Sequence, residues 1–192
     1  MLAKGCIVER MKSILVLMAP GFEEIELTAP VDILRRLGVK VVLAGVQGRR
    51  VEGAHGLTMQ ADMLLVDVQP EEYDGVVLPG GAASWLLRDT PAVLKLVREM
   101  NAAGKLVAAI CAAPIALEAA GVLKERHITC YPADAVTADV ASAASVSDAP
   151  SVTDGNIVTG RGPGAAFEFG FALGAYLGFD VASLRKEMCL DF

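Results

Sequence analysis

Cys111 lies in the run Ala108-Ala109-Ile110-Cys111-Ala112-Ala113-Pro114, after an all-apolar stretch and just before a helix-starting proline. A nucleophile on a sharp strand-to-helix turn needs small neighbours, because bulky Cβ substituents clash in the strained elbow. Ala109 and Ala113 stand two before and two after Cys111, the spacing of a G-x-S-x-G elbow with alanine for glycine and cysteine for serine. A thiol there faces a helix N-terminus, whose partial positive charge favours thiolate. The same residues also fit a buried, inert cysteine in an alanine-rich segment.

Two further segments sit where strand ends should converge, which is where open α/β sheets bind ligands. Leu78-Pro79-Gly80-Gly81 follows an apolar strand, and its glycines would let backbone N–H groups approach an oxyanion or simply make a tight turn. Glu23-Glu24-Ile25-Glu26 holds more carboxylates than capping one helix requires. Glu23 and Glu24 are read as solvated partners of the helix dipole. Glu26, between Ile25 and Leu27, is expected to point back over the strand ends towards Cys111. A carboxyl so placed has a raised pKa and can hydrogen-bond the thiolate or shuttle a proton.

These residues need a scaffold of alternating strands and helices, and the chain spells one out. Residues 14–18 read as a buried strand, 23–37 as a helix closed by Gly38, and 39–46 as a second strand. That is a βαβ unit with a parallel pair and a right-handed crossover. Short β pieces and a hairpin are expected within 49–67, and a third core strand over 73–78. Helices follow over 82–88 and 91–103, then a strand over 106–110 and a helix over 114–120. Residues 127–147 give weak β signals, and the Asp154-Gly155 turn joins two strands. Helices over 164–177 and 181–188 close the chain. The fold class is α/β: a doubly wound, mostly parallel sheet with helices on both faces, a three-layer sandwich.

Composition agrees. The chain has 192 residues, with 54% hydrophobic and only 5% aromatic residues, the aliphatic signature of strands covered on both faces. Its 17 Lys and Arg against 23 Asp and Glu give a net charge of −6, and no basic run offsets it. That balance argues against nucleic-acid binding. The longest apolar run, 106–117, is too short for a membrane span of about 20 residues. Residues 1–10 are read as an N-terminal extension ahead of a single domain over 11–192, since Met11 makes a sensible start. None of the four cysteines forms a C-x-x-C pair, and two histidines are too few for a zinc site. The thiols are expected reduced, in a cytoplasmic protein without metal or cofactor.

Taken in order, Gly21-Phe22-Glu23-Glu24-Ile25-Glu26, Pro30-Val31-Asp32, Leu78-Pro79-Gly80-Gly81, Ala109-Ile110-Cys111-Ala112-Ala113-Pro114 and Arg161-Gly162-Pro163-Gly164 resemble the ThiJ/PfpI superfamily, in particular its DJ-type, deglycase-like branch. The resemblance runs from Lys12 to about Leu177. It implies a flavodoxin-like homodimer with the cysteine on the elbow. It also implies a protonated glutamate at Glu26 touching the thiolate, and an oxyanion-type pocket from the N–H groups of Gly81 and Ala112. The implied chemistry is glutathione-independent glyoxalase or protein deglycase activity on a small aldehyde or a glycated protein. The alternative is a stress-responsive redox sensor or chaperone whose cysteine oxidises to sulfinate.

Two departures bear on that chemistry. Relatives assigned glyoxalase activity carry a histidine before the proline aligned with Pro132, where this chain has Tyr131. A phenol is a poor base at neutral pH but can donate a hydrogen bond. Ala112 stands where the peptidase-like branch has histidine, so peptidase activity is not expected. Arg161 is an auxiliary candidate for an anion contact, and His55, in a Gly-flanked loop, for a surface role or a contribution to the pocket. His127 is read as solvated, Cys130 and Cys189 as structural or incidental thiols, and Phe167, Phe169 and Phe171 as packing residues.

Overall fold

Six residues in a row, Ser13-Ile14-Leu15-Val16-Leu17-Met18, are buried, so the first strand has no solvent face. Such a strand belongs in the middle of a sheet covered on both sides. The computed structural model describes residues 10–190. The extension expected over residues 1–10 therefore lies, but for Arg10, outside the described residues.

In chain order, β1 (Ser13–Met18) leads into α1 (Glu24–Arg36) and returns as β2 (Lys40–Gly45). The strands β3 (Arg50–Glu52) and β4 (Thr58–Gln60) form an antiparallel hairpin of their own, and β5 (Met63–Leu64) rejoins the main sheet at its edge. Then come β6 (Gly75–Leu78), α2 (Ala83–Asp89), α3 (Pro91–Ala102), β7 (Leu106–Ile110) and α4 (Pro114–Ala119). The next segment holds β8 (His127–Thr129), α5 (Asp134–Ala138) and β9 (Ser145–Ser147). The chain closes with β10 (Ser151–Asp154), β11 (Ile157–Gly160), α6 (Ala166–Tyr176) and α7 (Val181–Glu187).

The main sheet runs β10-β11-β7-β6-β1-β2-β5, parallel throughout except for the β10–β11 hairpin at one edge. Every residue of β1, β6, β7 and β11 is buried. The helices fall into two groups, α1 against α6 and α7 and α2 against α3 and α4, so the α/β sandwich inferred from the sequence is present. Strand order reverses between β1 and β6, and the crevice at such a reversal is where open α/β sheets hold ligands.

Three local expectations need correction. The stretch 127–147 carries a short parallel sheet, β8 with β9, but also α5, which at five residues is too short to display helical periodicity. The helix expected from Gly164 begins at Ala166, because Pro163–Ala165 first makes a 3-10 turn. Within α6, Phe169 and Phe171 are buried, whereas Phe167 is 41% exposed and so does not pack in the core.

Candidate active site

The end of β7 delivers Cys111 in a left-handed backbone conformation, φ 64°, and α4 begins three residues later. Such a conformation costs a non-glycine residue on the order of 1–3 kcal/mol and persists only where its surroundings enforce it. Here both backbone groups are tied down: the Cys111 N–H donates to Gly160 O at 2.9 Å, and its carbonyl accepts from the Tyr131 N–H at 2.8 Å. The side chain is buried in contact with Glu26 and with the backbone N–H groups of Gly81 and Ala112, which donate to the sulfur.

Glu26, in the first turn of α1, is fully buried. Its Oε2 accepts the Gly80 N–H at 2.9 Å. Its Oε1 is buried without a hydrogen-bond partner, and the carboxyl interacts with the neighbouring Cys111 thiol. Burial, with a smaller contribution from the charge of Glu23, pushes the Glu26 carboxyl up to about 7. Burial and the charge of Glu26 push the Cys111 thiol up to about 12, against the pull of the Gly81 and Ala112 N–H groups.

These two groups behave as one acid, because a second negative charge in the same dry pocket is opposed by the first. Below about pH 7 Glu26 keeps its proton, so a thiolate formed there lies beside a neutral carboxyl, and the Gly81 and Ala112 N–H groups at the sulfur favour that arrangement. A helix of six residues offers little dipole, and the Ala112 N–H is the part of that turn that reaches the sulfur.

Glu23 and Glu24 are not the solvated pair expected of them, being 7% and 5% exposed. Glu23 caps α1 by accepting the Glu26 N–H at 2.7 Å. Glu24 reaches the β3–β4 hairpin, where its carboxylate takes the His55 N–H at 2.7 Å, the His55 ring Nδ1 at 2.8 Å and the Leu57 N–H at 3.4 Å. The two segments coincide because residues 21–23 are laced to the hairpin on one side and to the Gly80-Gly81 turn on the other. This brace was missed in the sequence. The only signal for it is His55 in a glycine-flanked loop, and nothing in the sequence ties that loop to Glu24. Ligand atoms of Glu23, Glu24 and His55 lie within 4.8 Å of one another, but the Glu24 oxygens and Glu23 Oε2 are already engaged by hydrogen bonds.

The other candidates divide. Tyr131 and Arg161 share a cleft of about 380 Å³ with Pro132, Pro150 and Pro163 beside the Cys111 turn. Arg161 is engaged there, its Nη1 donating to the Asp148 carbonyl and carboxylate at 2.6 Å each. His55 lies on Glu24 with a largely exposed ring, not against Cys111. Cys130 is buried, and burial pushes its thiol up against the opposing pull of Arg161; Cys189 is exposed. No helix among the described residues is long and apolar enough to cross a membrane.

The sequence and the fold have counterparts. Residues 12–175 match the model of the DJ-1/PfpI family. The chain is 41% identical to Protein dj-1beta of Drosophila melanogaster over 160 residues, covering 82% of this chain and 85% of that protein. It is 39% identical to Deglycase TK1284 of Thermococcus kodakarensis over 152 residues, covering 79% of this chain and 90% of that protein. The crystal structure of Drosophila DJ-1beta superposes with a TM-score of 0.89 at 36% identity, covering 95% of this chain and all of that one. This chain belongs to the DJ-1/PfpI family.

Proposed function

We propose that the protein is a cysteine-dependent enzyme acting on small reactive aldehydes, of the glyoxalase or deglycase type. The observation that carries this reading is the buried contact of Cys111 with Glu26, the cysteine held at φ 64° with two N–H groups on its sulfur. The thiolate adds to the aldehyde carbon of an α-oxoaldehyde, and the proton on Glu26 goes to the new oxyanion, giving a hemithioacetal. The Glu26 carboxylate so formed removes the hydrogen from that carbon and returns it to the neighbouring one through an enediol. Meanwhile the Gly81 and Ala112 N–H groups hold the oxyanion. Water then cleaves the resulting thioester, releasing a hydroxy acid and the free thiol. A glycated protein presenting the same adduct chemistry is the second substrate class, in keeping with the deglycase-named relatives.

The test is lactate formation from methylglyoxal without glutathione by wild type, Cys111→Ser and Glu26→Gln. Both variants should lose on the order of 10²-fold or more in rate. Equal rates in all three would sink the proposal.

A second reading is a redox sensor or chaperone with negligible turnover, favoured by Tyr131 standing where a histidine base is expected. Peroxide takes the Cys111 sulfur to sulfinate, which the same N–H groups and the protonated Glu26 can hold. Mass spectrometry after mild peroxide should then find two added oxygens on Cys111 before Cys130 or Cys189; oxidation of Cys130 first would contradict it. The homodimer implied by the family resemblance belongs to this proposal, and sedimentation of the purified chain decides it.

A further inference from the structure

We infer that Glu24 is a positioning residue for the Cys111 pocket, clamping the β3–β4 hairpin onto the loop that fixes Gly80 and Gly81. This rests on the role proposed above for Cys111. Glu24 is not the N-cap of its own helix, since Glu23 fills that place. Its carboxylate instead collects three donors from the hairpin tip: the N–H groups of His55 and Leu57 and the His55 ring. Burial opposes ionisation of Glu24, yet the hydrogen bonds from His55 and Leu57 outweigh it and hold the carboxyl below its ordinary value. The hairpin is shaped for the visit: a Cβ on Gly53 would lie 2.7 Å from Glu24 Cδ.

From the clamp to the sulfur the connection is backbone throughout. The Gly21 N–H donates to Glu52 O and the Ala54 N–H to Phe22 O, both at 2.8 Å, so the hairpin grips residues 21–22 from two sides. The Glu23 N–H then donates to Gly80 O at 3.1 Å, and Phe22 bridges to Gly81. Gly80 and Gly81 supply the N–H groups on Glu26 Oε2 and on the Cys111 sulfur. Without the clamp the hairpin keeps its own ladder and the two bonds to residues 21–22 but loses the three that Glu24 accepts, so the loop carrying the two donors is braced less tightly.

The experiment compares Glu24→Ala and Glu24→Gln by the pH profile of Cys111 alkylation with iodoacetamide, alongside kcat and KM for methylglyoxal. Glu26 of α1 is the titratable group facing the sulfur that this profile reads, and Glu23, the cap of α1, acts on Glu26 in turn. In Glu24→Ala the profile should move to higher pH, with alkylation about tenfold slower near neutrality, as expected for weakening a charge-assisted hydrogen bond. Turnover should fall in kcat with KM nearly unchanged. Glu24→Gln keeps an oxygen for the His55 and Leu57 N–H groups and can donate to the neutral His55 ring, so it should stay within about twofold of wild type. A merely structural Glu24 would lower thermal stability and leave the profile in place, and that result overturns the inference. If Glu24→Ala does not fold, Gly53→Ala displaces the carboxylate without removing it and must give the same shift; a wild-type profile there is equally fatal. Absence of turnover in wild type would overturn the aldehyde chemistry alone, because the alkylation profile does not depend on it.

Discussion

Gly80 and Glu26 meet in a hydrogen bond that leaves no room for a side chain. The Gly80 N–H donates to Glu26 Oε2 at 2.9 Å, while a Cβ on Gly80 would press on that same oxygen and lie 2.6 Å from Cys111 Cβ. Gly80→Ala must therefore push apart the two groups that share the proton. Overpacking of this kind costs about 1–3 kcal/mol. We expect a lowered Tm in calorimetry and loss of methylglyoxal turnover; an alanine variant as active and stable as wild type would show that the contact is looser than described.

Stability should depend on pH through Glu26. Its carboxyl is pushed up from 4.5 to about 7 in the folded chain, so between these values the native state holds the proton more tightly than the unfolded one. The stability associated with that proton is complete below about 4.5 and declines as pH rises, levelling off above about 7. The full difference is about 3 kcal/mol, taking roughly 1.4 kcal/mol per pKa unit. Urea unfolding at about pH 5 and about pH 8 should show wild type losing stability across the interval, relative to a flatter Glu26→Gln. A wild type that gains on Glu26→Gln as pH rises would reverse the sign and refute the assignment.

Tyr131 is 45% exposed on the cleft beside Cys111, and its backbone N–H is already committed to the Cys111 carbonyl. Its side chain can therefore change without disturbing the elbow. Tyr131→His should raise methylglyoxal turnover by about tenfold or more, because imidazole titrates near neutrality and phenol does not. Unchanged turnover would mean that Glu26 alone carries the proton transfers.

The elbow was legible in the sequence because its steric demands are local: Ala109, Ala113 and Pro114 bracket Cys111 whatever the rest of the chain does. Glu26 was legible from its place between two apolar residues at a strand end. Its neighbours were not. Glu23 and Glu24 look like ordinary first-turn acids, and only the long-range packing of Gly53 and His55 against α1 buries Glu24. The raised pKa of Glu26 was legible from its place, but the upward push on the Cys111 thiol was not, since it depends on how completely the two groups are dried together. The helix α5 escaped because five residues, Asp134–Ala138, complete barely more than one turn.

The claim on which the rest depends is that Glu26 carries the proton when Cys111 carries the charge. The alkylation profile of Cys111 in Glu26→Leu tests it by sign. A protonated Glu26 donating to the sulfur stabilises thiolate, so its removal should shift the profile to higher pH. Glu26→Gln, which can still donate, should shift it less. A shift to lower pH in Glu26→Leu would show that Glu26 is an anion repelling the thiolate, and would contradict the account.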